Sequence, residues 1–193
     1  MRGEKNLDFS QGYMMKSPNF LSVLLRIILL STTLGSCTSA PNLPIQLAAF
    51  TENDVSVSID LEHSSAGNYL LSATFTPPVG YHLYSKDMPT HGINGLGRPT
   101  LLELTTSNQV RATDELIESV SAQQLYFEPQ ELPVYPLGPV TLSLPIELPP
   151  GKNWVNDELK VTFMACSTNQ CKPPVEGKIV SIRVPGADMI DNQ

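Results

Sequence analysis

"VSVSIDL", residues 55 to 61, puts Val55, Val57, Ile59 and Leu61 on one side of an extended chain and Ser56, Ser58 and Asp60 on the other. A repeat of two marks a strand with one buried face, because successive side chains of a strand point to opposite sides. The pattern returns in "VTLSLPI" (Val140, Leu142, Leu144, Ile146) and in "LKVTF" (Leu159, Val161, Phe163). With "NYLLSATF", "YHLYS", "TLLEL" and "KIVSIRV" the count reaches about seven or eight short strands. All of the 17 prolines except Pro18 lie beyond residue 37, where they remove backbone donors and discourage long helices. If the chain holds a helical turn or two, the place for it is "TDELIESVSAQQL", residues 113 to 125. Many short, half-buried strands with turn signals between them favour an all-β fold, an immunoglobulin-like β-sandwich, over a closed barrel.

At 193 residues and 41% hydrophobic content the chain can bury one sizeable core. The N-terminal stretch is of another kind. "MKSPNFLSVLLRIILLSTTLGSC" has a basic start, an apolar run from Phe20 to Leu34 and small residues before Cys37, which reads as a secretory signal. The run is too short for a membrane span and is interrupted by Arg26. Glu4 and Asp8 suit a signal poorly, so translation is expected to start at Met14 or Met15. "LGSC" (Leu34 to Cys37) resembles the lipobox of bacterial lipoproteins, which implies cleavage before Cys37 and a lipid, palmitate included, on that cysteine. The expected organisation is a lipoprotein-type signal peptide over 1–36, a lipidated tether over 37–46, a sandwich domain over 47–187 and a tail over 188–193. Thr38 after the lipid site favours the outer membrane, on the periplasmic side of the cell envelope, by analogy with lipoprotein sorting.

Removing residues 1–36 moves the net charge from -7 to -9, and no Lys/Arg cluster remains, so nucleic acid is not an expected partner. With Cys37 lipidated, Cys166 and Cys171 are the pair left, in an oxidising compartment where a disulfide persists.

Common enzyme signatures are missing. There is no G-x-S-x-G elbow, and "GINGLG" (Gly92 to Gly97) has the wrong spacing for a dinucleotide loop and reads as turn chemistry. His63, His82 and His91 are scattered without metal-ligand spacing, and no metal or cofactor is expected. Asp114, Glu115 and Glu118 read as a solvated face.

"CSTNQC", residues 166 to 171, follows a strand and precedes "KPPVEGKIVSI". The simplest geometry is a hairpin with the two sulfurs facing across its mouth. Three readings stay open on spacing alone: a structural disulfide, a redox pair, or two ligands of a metal site completed by a residue such as His82 or Met164. Lys172 beside Cys171 would favour a thiolate there if its ammonium lies close.

"VTFMACSTNQCKPPVEGKIVSI" (161–182) resembles the active-site segment of the N-terminal periplasmic domain of DsbD-type thiol:disulfide interchange proteins. "PPVGYHLYSKD" (77–87) is similar to that family's Gly-Tyr-x-Leu-Tyr strand, and "LYFEPQELPVYPLGPVTLSLPI" (125–146) to its cap loop and following strand. The resemblance implies an immunoglobulin-like sandwich acting as a thiol–disulfide exchange module, oxidoreductase-like, that relays reducing equivalents. Cys171 would form the mixed disulfide and Cys166 would resolve it. Tyr84 and His82 would line the site, and Tyr126 and Phe127 would cap it. The implied partners are thioredoxin-fold proteins or a membrane electron donor. The membrane and thioredoxin domains that accompany this domain in the family do not occur before Gln193, so the expectation is a stand-alone lipoprotein supplied by another polypeptide. The alternative is a non-catalytic binding or assembly lipoprotein with a structural disulfide.

Overall fold

The computed structural model describes residues 41–106, 109–127 and 130–190, without the side chains of residues 126, 127 and 130. The expected signal peptide and Cys37 lie outside the described residues. Thirteen strands run in the order β1 (Ile45–Glu52), β2 (Val55–His63), β3 (Tyr69–Thr76), β4 (His82–Leu83), β5 (Leu101–Leu104), β6 (Arg111–Ala112), β7 (Ile117–Glu118), β8 (Gln123–Phe127), β9 (Gln130–Val134), β10 (Val140–Glu147), β11 (Trp154–Phe163), β12 (Ala165–Cys166) and β13 (Val175–Pro185). β1 pairs Ile45 and Gln46, the last two residues of the expected tether, with Leu61 and Asp60.

Two antiparallel sheets face each other in a sandwich of immunoglobulin-like build. The larger has the order β1-β2-β3-β10, with β6 and β7 sharing the free side of β10, and the smaller has the order β13-β11-β5. The alternating residues read from the sequence are its inner faces. Val55, Val57, Ile59 and Leu61 of β2 and Leu142 of β10 share one buried cluster with Leu159, Val161 and Phe163 of β11. Phe75 and Phe163 meet edge to face across the gap with centroids 5.7 Å apart, a favoured aromatic geometry.

One irregularity steers the chain toward the cysteines. The β11–β13 register slips between Val161 and Phe163. There Gly177 takes a positive φ of 61°, and its N–H donates to Thr162 Oγ1 at 3.0 Å in place of a ladder carbonyl. Such slips bend a strand and increase its twist.

The expected helical turn within 113–125 is not there. Ile117 and Glu118 pair instead with Ser143 and Leu142 of β10, whose edge would otherwise present bare backbone groups. Glu118 also accepts a 2.7 Å hydrogen bond from the hydroxyl of buried Tyr135, which ties the extended form to the core. Among the described residues the one helical element is a 3-10 turn at Ala187–Met189.

Candidate functional site

Beyond β11 the chain enters β12, whose Ala165 and Cys166 pair with Leu83 and His82 of β4. It then folds back, so that Cys166 and Cys171 face each other in an antiparallel bridge. The flanking bonds are Lys172 N–H to Ala165 O and Ser167 N–H to Gln170 O, both 2.8 Å. This makes the cysteines a non-hydrogen-bonded pair, the kind that brings opposed side chains closest. Their Cα atoms are 4.0 Å apart and the sulfurs are joined in a disulfide. The turn is held by Ser167, whose hydroxyl accepts from the N–H groups of Asn169 (3.3 Å) and Gln170 (3.2 Å) and donates to Gln170 O at 3.1 Å. Serine closes turns in this way because its short hydroxyl reaches the backbone two and three residues on.

The two half-cystines differ sharply in surroundings. Cys171 is exposed, whereas Cys166 is 1% exposed. Cys166 belongs to a small buried cluster with Tyr84, Met88, Leu132 and Val134, bordered by Ile93 and Met164 and distinct from the main core. Leu132 and Val134 come from the β8–β9 hairpin, which is stitched to β4 and the chain just beyond it. Ser85 N–H donates to Pro133 O at 2.9 Å and Tyr135 N–H to Leu83 O at 2.8 Å. Tyr84 O in turn accepts from Thr100 Oγ1 at 2.7 Å.

The glycine loop closes the other side of the cluster. Gly92, Gly95 and Gly97 all have positive φ, as turn chemistry requires. At Gly97 there is a second constraint, since a Cβ would lie 2.7 Å from Met88 Cε and 2.9 Å from Tyr84 Cε1. Arg98 holds the loop through carbonyls of His91, Gly95 and Gly97 and pairs with Glu176 on β13.

His82 lies opposite Cys166 across the β4–β12 pair, buried, with its ring edge-on to Tyr84 at 5.4 Å. Burial pushes its imidazole below the ordinary 6.5 and pushes the Tyr84 phenol up, so both are neutral at physiological pH. The sign of the pH effect follows. The unfolded chain takes up the His82 proton near 6.5 and the folded chain only at lower pH. The stability that neutral His82 contributes is therefore whole above 6.5 and lost as the pH falls below it. Urea midpoints measured at pH 7.5 and pH 5.5 are expected to fall with acidification, and His82→Phe is expected to flatten that fall; an unchanged slope in the variant would show that other groups cause it.

Of the residues singled out from sequence, the structure brings Cys166, Cys171, His82 and Tyr84 to one place. Tyr126 and Phe127 lie on β8, in the hairpin that carries Leu132 and Val134, and their side chains are outside the described part. Leu132, Val134, Met88 and Gly97 were not anticipated, although the Leu-x-Val alternation in "ELPVY" is a signal for the first two. The Lys172 ammonium is engaged elsewhere, 2.5 Å from Asp54 Oδ2 and 5.3 Å from the centroid of the Tyr81 ring.

No family model matches the sequence, and no curated protein does. Among solved structures the chain is similar to the N-terminal domain of Neisseria meningitidis DsbD in its reduced form, with a TM-score of 0.38 and 15% identity over 60% of this chain and 76% of that one.

Proposed function

We propose that the protein is a thiol–disulfide exchange module of the bacterial cell envelope, relaying reducing equivalents between Cys166–Cys171 and thioredoxin-fold proteins or a membrane electron donor. The observation that carries this reading is the unequal placement of the pair, Cys171 exposed and Cys166 buried beneath its own cluster. Exchange needs one sulfur that a thiolate can reach and one that leaves and returns. As a staple the bond is weak, because a ring of six residues contributes roughly 2 kcal/mol on the chain-entropy estimate, against about 4.7 for a loop of a hundred. The hairpin is also closed already by two backbone bonds.

In the reducing direction a partner thiolate attacks Cys171 Sγ, the S–S bond breaks, and Cys166 leaves as a thiolate and takes a proton. The partner's second thiol then attacks the partner sulfur of the mixed disulfide and releases Cys171 as a thiol. The partner ends oxidised, and two electrons and two protons have reached the pair. Run backwards, the same steps pass them on. Tyr84, His82 and the Leu132 and Val134 side chains of β9 keep other thiols from Cys166, and Tyr126 and Phe127 take the cap role over the pair that the sequence resemblance implies. A lipid on Cys37 holding the domain at a membrane surface, the outer membrane in preference, belongs to the same proposal and rests on the sequence.

The test is a trap in cells. Cys166→Ser is expected to accumulate a mixed disulfide through Cys171, visible on non-reducing gels and identifiable by mass spectrometry, while Cys171→Ser accumulates none. Absence of any adduct, together with a reduction potential below about -300 mV, the range of structural disulfides, would overturn the reading.

A further inference from the structure

The side of the hairpin turned away from the disulfide carries its own set of contacts. Neighbouring residues of an extended chain point to opposite sides, so Gln170 and Lys172 leave the backbone away from Cys171. Both meet Tyr81: Gln170 Nε2 donates to its hydroxyl, and the Lys172 ammonium lies over its ring. The β1–β2 turn reaches the same place. Asp54 pairs with Lys172, and Asn53 Nδ2 donates to Pro173 O at 2.9 Å. Asn53 and Asp54 both have positive φ, 49° and 63°, the geometry of a two-residue turn whose twist matches the strands it joins.

The two prolines explain why side chains do this work. Pro173 and Pro174 have no N–H and cannot donate to a ladder. Between Cys171 and the start of β13 at Val175, the described backbone bond is the one from Lys172 N–H to Ala165 O. Cys166 is held by β4; the Cys171 arm is held by the two backbone bonds of its own hairpin and, through the side chains on either side of Cys171, by residues far away in sequence.

We propose that Tyr81, Asn53 and Asp54 are positioning residues for Cys171, bracing its strand so that its sulfur stays opposite Cys166 while the S–S bond is open. The inference deepens the exchange reading and rests on the pair being opened by thiols. In the mixed disulfide, the Cys166 thiolate re-forms the bond by attacking Cys171 Sγ and expelling the other sulfur. The frequency of that attack depends on how closely the two sulfurs are kept together. A slack strand lowers it and shifts the exchange equilibrium toward the dithiol.

Equilibration with reduced and oxidised glutathione tests this, two glutathione thiols being oxidised to one disulfide for each pair reduced. Tyr81→Phe, which keeps the ring, and Asp54→Asn, which suits a positive φ, are each expected to shift the equilibrium toward the dithiol by roughly twofold to fivefold, as loss of a surface ion pair or one hydrogen bond does. Glu52→Gln is the control. It removes the 2.7 Å pair between Glu52, the last residue of β1, and Lys178 on β13, and is expected to leave the equilibrium unmoved. If both brace variants match the wild type, or if Glu52→Gln shifts the equilibrium as much as they do, the brace is overturned and the exchange reading stands. A wild-type pair that glutathione cannot open would overturn both.

Discussion

Reduced protein carrying Cys171 without its partner (Cys166→Ser) is expected to react with iodoacetamide on the order of 100-fold faster at that position than Cys171→Ser reacts at Cys166. Alkylation needs a thiolate and a path to it. Cys171 stands exposed on the returning arm of the hairpin, whereas Cys166 is paired to β4 and packed with Tyr84, Met88, Leu132 and Val134. Cys166 lacks the path. Its reaction has to wait for the cluster to open, and a 100-fold deficit corresponds to an opening free energy of about 2.7 kcal/mol. Quenched labelling with peptide mass spectrometry gives both rates. Equal rates would mean that the cluster does not cover Cys166, and the physical basis for assigning the two sulfurs different roles would be gone.

Gly97→Ala is expected to lower stability by about 2 to 5 kcal/mol, adding the roughly 1–2 kcal/mol of a left-handed backbone to the typical 1–3 of overpacking. The φ of 75° excludes an easy fit for any Cβ, and the new methyl would sit within 3 Å of Met88 Cε and Tyr84 Cε1. Tyr84 cannot yield freely, because its carbonyl is held by Thr100 and its ring lies against His82. The displaced side chain is therefore Met88, on the cover of Cys166. Urea unfolding reads the stability loss, and labelling of Cys166 in the reduced Cys171→Ser background is expected to speed up in the same variant. A loss below about 1 kcal/mol would show that the loop relaxes around the methyl at little cost.

The long strands were legible because their signal is redundant. β2, β10, β11 and β13 each show several alternations, and in each the alternating residues are the buried ones. β4 lies within the strand-like "YHLYS", whereas β6, β7 and β12 have two residues apiece, too few to show any period. They form because a neighbour offers an edge, a fact of the folded state. The same reason replaced the expected turn of helix by β7: Leu116, Ile117 and Val120 are compatible with either period, and the free side of β10 decided between them. The cysteine hairpin was legible as geometry, since four polar turn-formers between two strand-like runs leave little else. Its supports were not. Asp54 and Lys172 are 118 residues apart, and Leu132 and Val134 are interrupted by Pro133 in a stretch that reads as loop. Such contacts depend on how the sheets cross, which local pattern does not encode.

The buried residues fall into two groups, one filling the space between the sheets and one gathered around Cys166. Free energy of local opening is set by the contacts an opening breaks, and the small group can part without disturbing Phe75, Phe163 or the rest of the large one. Access to Cys166 therefore depends on fewer contacts than survival of the fold does. Trimming Leu132 or Val134 is expected to make the inner sulfur easier to reach at a smaller cost to the sandwich than a matching cut in the large group.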